Sequence, residues 1–236
     1  MSSKASSDLL FTGGALTRPL TVRRHARART MRLVVDPRDG TVRLTLPPRA
    51  ALRPALAWAE EKRGWIEAAL AKVRVAAPLG DGATLPFEGR DLTIRWSPDH
   101  GRRVRVEGDV LFVGGPPESL APRIIRWLRA ESLARFDALT RKMAVQAGVS
   151  IGRVSIGDPK SRWGSCAGSG DIRYSWRLIM APPAVLESVV AHEVAHRLHM
   201  DHSPSFHAAA LRLLGREPKA ERAWLRANGA ALHRVG

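Results

Sequence analysis

The chain has 236 residues, 44% hydrophobic and 25% charged, with a net charge of +16 at pH 7. That length suits one large domain or two small ones, and no run of about 18 apolar residues is present to span a membrane. A single cysteine, Cys166, excludes an intrachain disulfide and a four-cysteine zinc site, and fits a reducing cytoplasm.

Residues 1–19 hold no apolar stretch long enough for a signal peptide and read as a disordered tail. "LTVRRHARARTMRLVVD" alternates in places and "GTVRLTLPP" clearly, with the turn "DPRDG" between them, which predicts a β-hairpin. In "RPALAWAEEKRGWIEAALAKV", Leu56, Trp58, Trp65, Ile66, Leu70 and Val73 have helical spacing. After the connector "AAPLGDG" come four short strands, "ATLPFEG", "RDLTIRWS", "RRVRVEG" and "DVLFVGG", expected to form a small antiparallel sheet.

"PPESLAPRIIRWLRAESLARFDALTRKMAVQAG" predicts one long helix stopped by Gly148. "SIGRVSIGD" predicts a strand. "SRWGSC", "AGSG" and "DIRYSWRLIMA" predict a second hairpin, whose strand over 171–179 is expected to offer an edge to an extended peptide. "PPAVLESVVAHEVAHRLH" opens with prolines suited to a helix start, and its helix is expected to end near Met200–Asp201. "SPSFHAAALRLLG" predicts a further helix with Ser203 as N-cap and Gly215 past its end. "PKAERAWLRANGAAL" predicts a last one.

The expected class is α+β, with a β-rich N-terminal half and a helical C-terminal half. The expected division is a tail (1–19), a β-rich region with one helix (20–115) and a helical region (116–236). The positive charge is spread along the chain, and arginine supplies 32 of the 38 basic residues. Such a surface suits nucleic acid or another acidic partner, or is simply solvated.

Five of the eight histidines fall between Ala191 and His207. His192-Glu193-Val194-Ala195-His196 matches H-E-x-x-H. Residues i and i+4 share one face of a helix, so both imidazoles reach one ion, and the Glu stands beside them as a general base. Zinc is the expected metal, and a catalytic site needs a third protein ligand. His199 shares the face, but seven residues of helix rise about 10 Å, too far to close on the same ion. His202 lies where the chain turns before Ser203-Pro204 and is better placed. Glu217 or Glu221, on a following segment, is the acidic alternative. His207 reads as a surface or packing residue.

Taken together, "PKSRWGSC", "DIRYSWRLIMAPP" and "VVAHEVAHRLHMDHSPSF" strongly resemble the YgjP-like metallopeptidase domain, a group related to the WLM and SprT-like zinc peptidases. The likeness covers residues 20–230 and is strongest over 159–206. It implies a zincin-like C-terminal half, with the active-site helix beside an antiparallel edge strand. It also implies Zn2+ on His192, His196 and His202, Glu193 as catalytic base, and a peptide or protein substrate. Arg197 stands where Leu or Ala is more usual, and Asp201 where Asn is; neither change touches an implied ligand.

Other residues carry weaker readings. Tyr174 is a strand-packing residue or an oxyanion donor. Trp163 and Trp176 are core aromatics or cleft walls. Cys166 is a small buried residue or an inhibitory thiolate. Arg162 and Arg177 are solvated or grip a carboxylate or phosphate. Two rival functions stay open. One is a nucleic-acid-binding module with a structural zinc, contacting its partner through "RRHARARTMR". The other is a metal-dependent hydrolase of a non-peptide amide.

Overall fold

The computed structural model describes residues 4–73 and 78–236. The chain divides into two compact units, residues 1–76 and 77–236.

The first unit is one sheet with two helices. Its strands are β1 (Lys4–Gly13), β2 (Leu16–Arg24), β3 (Arg32–Val35) and β4 (Val42–Leu46), in the order β1-β2-β4-β3. The predicted hairpin is the antiparallel pair β3–β4, and β2 runs parallel to β4. Alternation along β4 buries Val42, Leu44 and Leu46 against Phe11 and Leu20. The segment expected to be a disordered tail is therefore strand from Lys4 onward; only its first three residues lie outside the described ones. Phe11 explains the difference, because it is fully buried and gives that stretch apolar surface to bury.

The helix predicted after "LPPRA" is two helices, α1 (Leu52–Glu61) and α2 (Arg63–Ala71), broken at Lys62. The break resets the helical phase. Ala55, Ala59, Ile66 and Leu70 face the core, while Trp65 is 54% exposed.

The second unit begins with β5 (Thr84–Phe87), β6 (Arg90–Trp96), β7 (Arg105–Glu107) and β8 (Val110–Val113), ordered β5-β6-β8-β7. The four predicted strands are all present. The sheet is mixed rather than antiparallel, because β6 and β8 are parallel. Helix α3 (Leu120–Ala147) ends at Gly148, whose φ of +66° reverses the chain. It buries Leu120, Ile124, Leu128, Phe136 and Met143 in one core with Leu85, Leu92 and Leu111 of that sheet. This shared core moves the expected boundary at 115/116 to residue 77. The sheet belongs with the helices, because its buried residues share their core.

A second, three-stranded sheet follows: β9 (Val154–Gly157), β10 (Gly164–Cys166) and β11 (Ile172–Ser175), in the order β10-β11-β9. The predicted hairpin is β10–β11, antiparallel, and β11 is parallel to β9. The edge expected over 171–179 is corrected on two counts. β11 is the central strand, and residues 176–180 form a 3-10 turn buried throughout. Flanked on both sides, β11 has no free backbone edge; the edge strand packed on the following helix is β10. Three helices complete the unit: α4 (Pro183–Ala195), α5 (Pro204–Leu214) and α6 (Lys219–Leu232). Among the described residues, no helix is long and apolar enough to cross a membrane.

Candidate metal centre and catalytic cleft

Pro183 starts α4, where its missing N–H costs nothing. Val185, Leu186, Val190 and Val194 bury the helix in the main core. That anchoring turns His192 and Glu193 in the last turn, and His196 at the C-cap, toward α5 and β10. The helix ends at Ala195, five residues before the expected end near Met200–Asp201. The main chain tightens there: the N–H groups of Leu198 and His199 both donate to the Ala195 carbonyl, each at 3.0 Å. His199 then turns its own carbonyl onto His196 Nδ1–H, at 3.1 Å. This bond fixes the His196 tautomer and leaves Nε2 for another partner.

Arg197 anchors the same turn. Its guanidinium donates to the carbonyls of Ser150, at 3.2 Å, and Gly168, at 3.1 Å. On the far side, Asp201 accepts the Ser203 N–H at 3.2 Å, and the Ser203 hydroxyl caps α5 by accepting from Phe206 N–H at 3.3 Å. Between these turns His202 folds back, and its Nε2 lies 3.3 Å from His192 Nε2.

His192, His196 and His202 each place one ring nitrogen within 4.8 Å of the others. Among the described residues, this is the group that can hold a metal ion. The donor set suits zinc: two nitrogens on a tetrahedral zinc at about 2.0–2.1 Å stand about 3.4 Å apart. Burial and the neighbouring imidazoles hold His192 down to about 4, and burial lowers His196 as well. Neutral imidazoles are the form that ligates.

Phe206 is a residue that helical spacing alone does not mark out. It is fully buried, and its ring centroid lies 4.9, 4.5 and 4.8 Å from those of His192, His196 and His202. It is the common floor of the three rings.

Glu193 points the other way around α4, toward β10. It is 5% exposed, and burial pushes its carboxyl up to about 7 against the pull of the Arg162 charge. Gly164 on β10 makes room for it: a Cβ there would sit 2.5 Å from Glu193 Oε1. A cleft of about 520 Å³ opens at this point, with Trp163, Gly164, Val189, His192, Glu193 and Leu225 among its walls.

Residues 29–228 match the YgjP-like metallopeptidase domain. The chain belongs to the YgjP-like metallopeptidase family. It is accordingly a metallopeptidase. No curated protein matches the chain. Among solved structures, it is similar to the metallopeptidase zymogen of Methanocaldococcus jannaschii jannalysin. The two are 16% identical with a TM-score of 0.33, over 41% of this chain and 94% of that one.

The weaker candidates of this YgjP-like chain now have places. Glu221 is buried and accepts from Arg216 Nε at 3.0 Å; neither it nor Glu217, which lines the cleft, joins the histidine cluster. His199 contributes its carbonyl, and His207 stands at the cleft with its ring 6.4 Å from that of His202. Tyr174 is fully buried, stacked on Phe136 at 4.3 Å and hydrogen-bonded to Thr140, so strand packing is its role. Trp176 is core, whereas Trp163 lines the cleft.

Arg177 is neither solvated nor free for substrate. It grips Asp158 at 2.6 and 2.9 Å and donates to the carbonyls of Leu232 and Val235, at 2.9 and 2.7 Å. Arg162 is exposed at the cleft. Cys166 is half-buried, its thiol pushed up by burial, and it is not one of the clustered ligands.

Proposed function

We propose that this protein hydrolyses peptide bonds with a zinc ion held by His192, His196 and His202 and with Glu193 as general base. The observation that carries the reading is the adjacency of two features: three convergent imidazoles, and the buried Glu193 carboxyl next to His192 on the same helix, these last two residues lining one cleft. When bound, zinc supplies Lewis acidity and brings water ionisation toward neutral pH.

The chain's own residues do the rest. Glu193 takes a proton from the attacking water onto a carboxylate oxygen and passes it to the leaving amine. Its burial matches that task, since a base near neutrality both accepts and returns a proton. β10, the edge strand beside α4, is suited to hold an extended peptide by strand addition, with main-chain hydrogen bonds fixing the register. The apolar walls of the cleft accept a side chain next to the scissile bond. One member of the triad, His192, lines an open cleft beside Glu193, and this favours catalysis over a structural zinc, which tends to be closed by four protein ligands. The single cysteine supports a reducing compartment such as the cytoplasm.

The test is Glu193→Gln. The expected result is stoichiometric zinc by elemental analysis with cleavage of a casein or peptide-library substrate lost. Unchanged cleavage in that variant overturns the reading.

A further inference from the structure

The outer face of the β10–β11–β9 sheet carries a feature that hydrolysis itself does not use. Ser165, Arg173 and Ser155 stand in register across the three strands, on one face. Two cavities of about 240 and 380 Å³ open there. Arg162 and Arg173 line both, Arg153 lines the larger, and Arg162 also lines the catalytic cleft.

Among the described residues, none of these three guanidinium groups makes an ion pair. Two acids line these cavities, and both are engaged. Asp158 is held by Arg177, and Asp171 accepts the Arg153 main-chain N–H at 2.8 Å. The face therefore presents three uncommitted forks, flanked by serine hydroxyls, beside the edge strand on which a peptide would lie. Guanidinium forks match carboxylate and phosphate oxygens. No aromatic side chain lines either cavity, so bases would find no stacking platform. Cavities of this size take side chains.

We propose that Arg153, Arg162 and Arg173 form a subsite for acidic side chains of the substrate, so that the enzyme prefers peptides with Asp or Glu flanking the scissile bond. This rests on the peptidase reading above. The forks would offset the charge of the incoming carboxylates while β10 holds the backbone.

The experiment compares kcat/KM of the zinc-loaded enzyme for library peptides carrying Asp or Glu with matched Asn or Gln peptides. An advantage of about tenfold or more is expected for the acidic set, the size of one or two charge-assisted hydrogen bonds. Arg153→Glu with Arg173→Glu is expected to bring the ratio to one or below. Arg212→Glu with Arg226→Glu, on the exposed surfaces of α5 and α6, is expected to keep it. Equal kcat/KM for both peptide sets in the wild type overturns the proposal, as does the same loss of ratio from the control pair.

A binding measurement separates this idea from the peptidase reading. Fluorescence anisotropy on the Glu193→Gln protein is expected to give about tenfold tighter binding of the acidic peptide, abolished by the double reversal. If no peptide is cleaved but this difference persists, the peptidase reading fails and the subsite stands. Equal affinities overturn the subsite. Displacement of the acidic peptide by a lower concentration of single-stranded oligonucleotide, dependent on Arg153 and Arg173, overturns it in favour of nucleic acid.

Discussion

Gly164 stands so close to the Glu193 carboxylate that a single added methyl group would collide with it: Oε1, Cγ and Cδ would lie 2.5, 2.7 and 2.8 Å away. Gly164→Ala is thus a test of positioning. The variant is expected to fold and hold metal but to lose about 10- to 100-fold in kcat, as a displacement of about 1 Å at a catalytic group does. Steady-state kinetics with zinc quantitation checks it; wild-type kcat would show that β10 does not set the place of Glu193.

The histidines of the cluster should separate cleanly on substitution. His202→Ala is expected to weaken zinc binding by at least about 100-fold in chelator competition, since a ligand is lost outright. His199→Ala keeps the carbonyl that orients His196 and should stay within about threefold of wild type. Equal losses in the two would mean that the third ligand has been misassigned.

Phe206 touches all three imidazoles. Phe206→Leu retains apolar volume but not the flat ring, and is expected to cost about 1 kcal/mol of stability. The larger effect should be on the metal, with affinity down about 10-fold because the ligands lose their common support. Thermal denaturation and zinc titration, run on the same preparations, distinguish the two effects.

Asp158 and Arg177 give a pH signature remote from the metal centre. The Arg177 hydrogen bond holds the Asp158 carboxyl below its ordinary 3.8, against the opposing effect of burial. A depressed folded value means that the stabilisation is complete above the unfolded pKa and is lost as pH falls through the folded one. Asp158→Asn is expected to lower stability at pH 7 by about 2 kcal/mol, toward the low end for a broken pair because Asp158 is 42% exposed. The denaturation midpoints of variant and wild type should begin to converge only below about pH 4 and close further as the pH falls. A gap that stays constant with pH would show that the pair contributes nothing through its charge.

What could be read from the sequence, and what could not, follows from how local each feature is. The i, i+4 spacing of His192 and His196 and the Ser203-Pro204 helix start are local, and the structure brings His202 to the first two rings accordingly. The end of α4 was not legible in the same way. His199 continues the helical periodicity, yet the chain leaves the helix at His196, where the His199 carbonyl turns to that ring. The turn "AGSG" between "SRWGSC" and "DIRYSWRLIMA" predicted the hairpin of β10 and β11, but a turn does not say which strand has a second neighbour. That neighbour, β9, comes from before the hairpin and runs parallel. Phe11 closes a run of three apolar residues, Leu9-Leu10-Phe11, too short to show a helical or strand period. Glu193 followed from its motif, whereas the glycine that accommodates it sits 29 positions earlier on another element.

Arg197 has a consequence for where this chain tolerates change in length. Surface connections ordinarily accept insertions and deletions. Here the segment after α3 and the tip of the β10–β11 hairpin each present one main-chain oxygen, of Ser150 and Gly168, to the same guanidinium. Adding or removing a residue in either would carry that oxygen out of reach and release the turn that bears His196. Two loops that touch neither cleft nor ligand are thereby measured out by the length of one side chain.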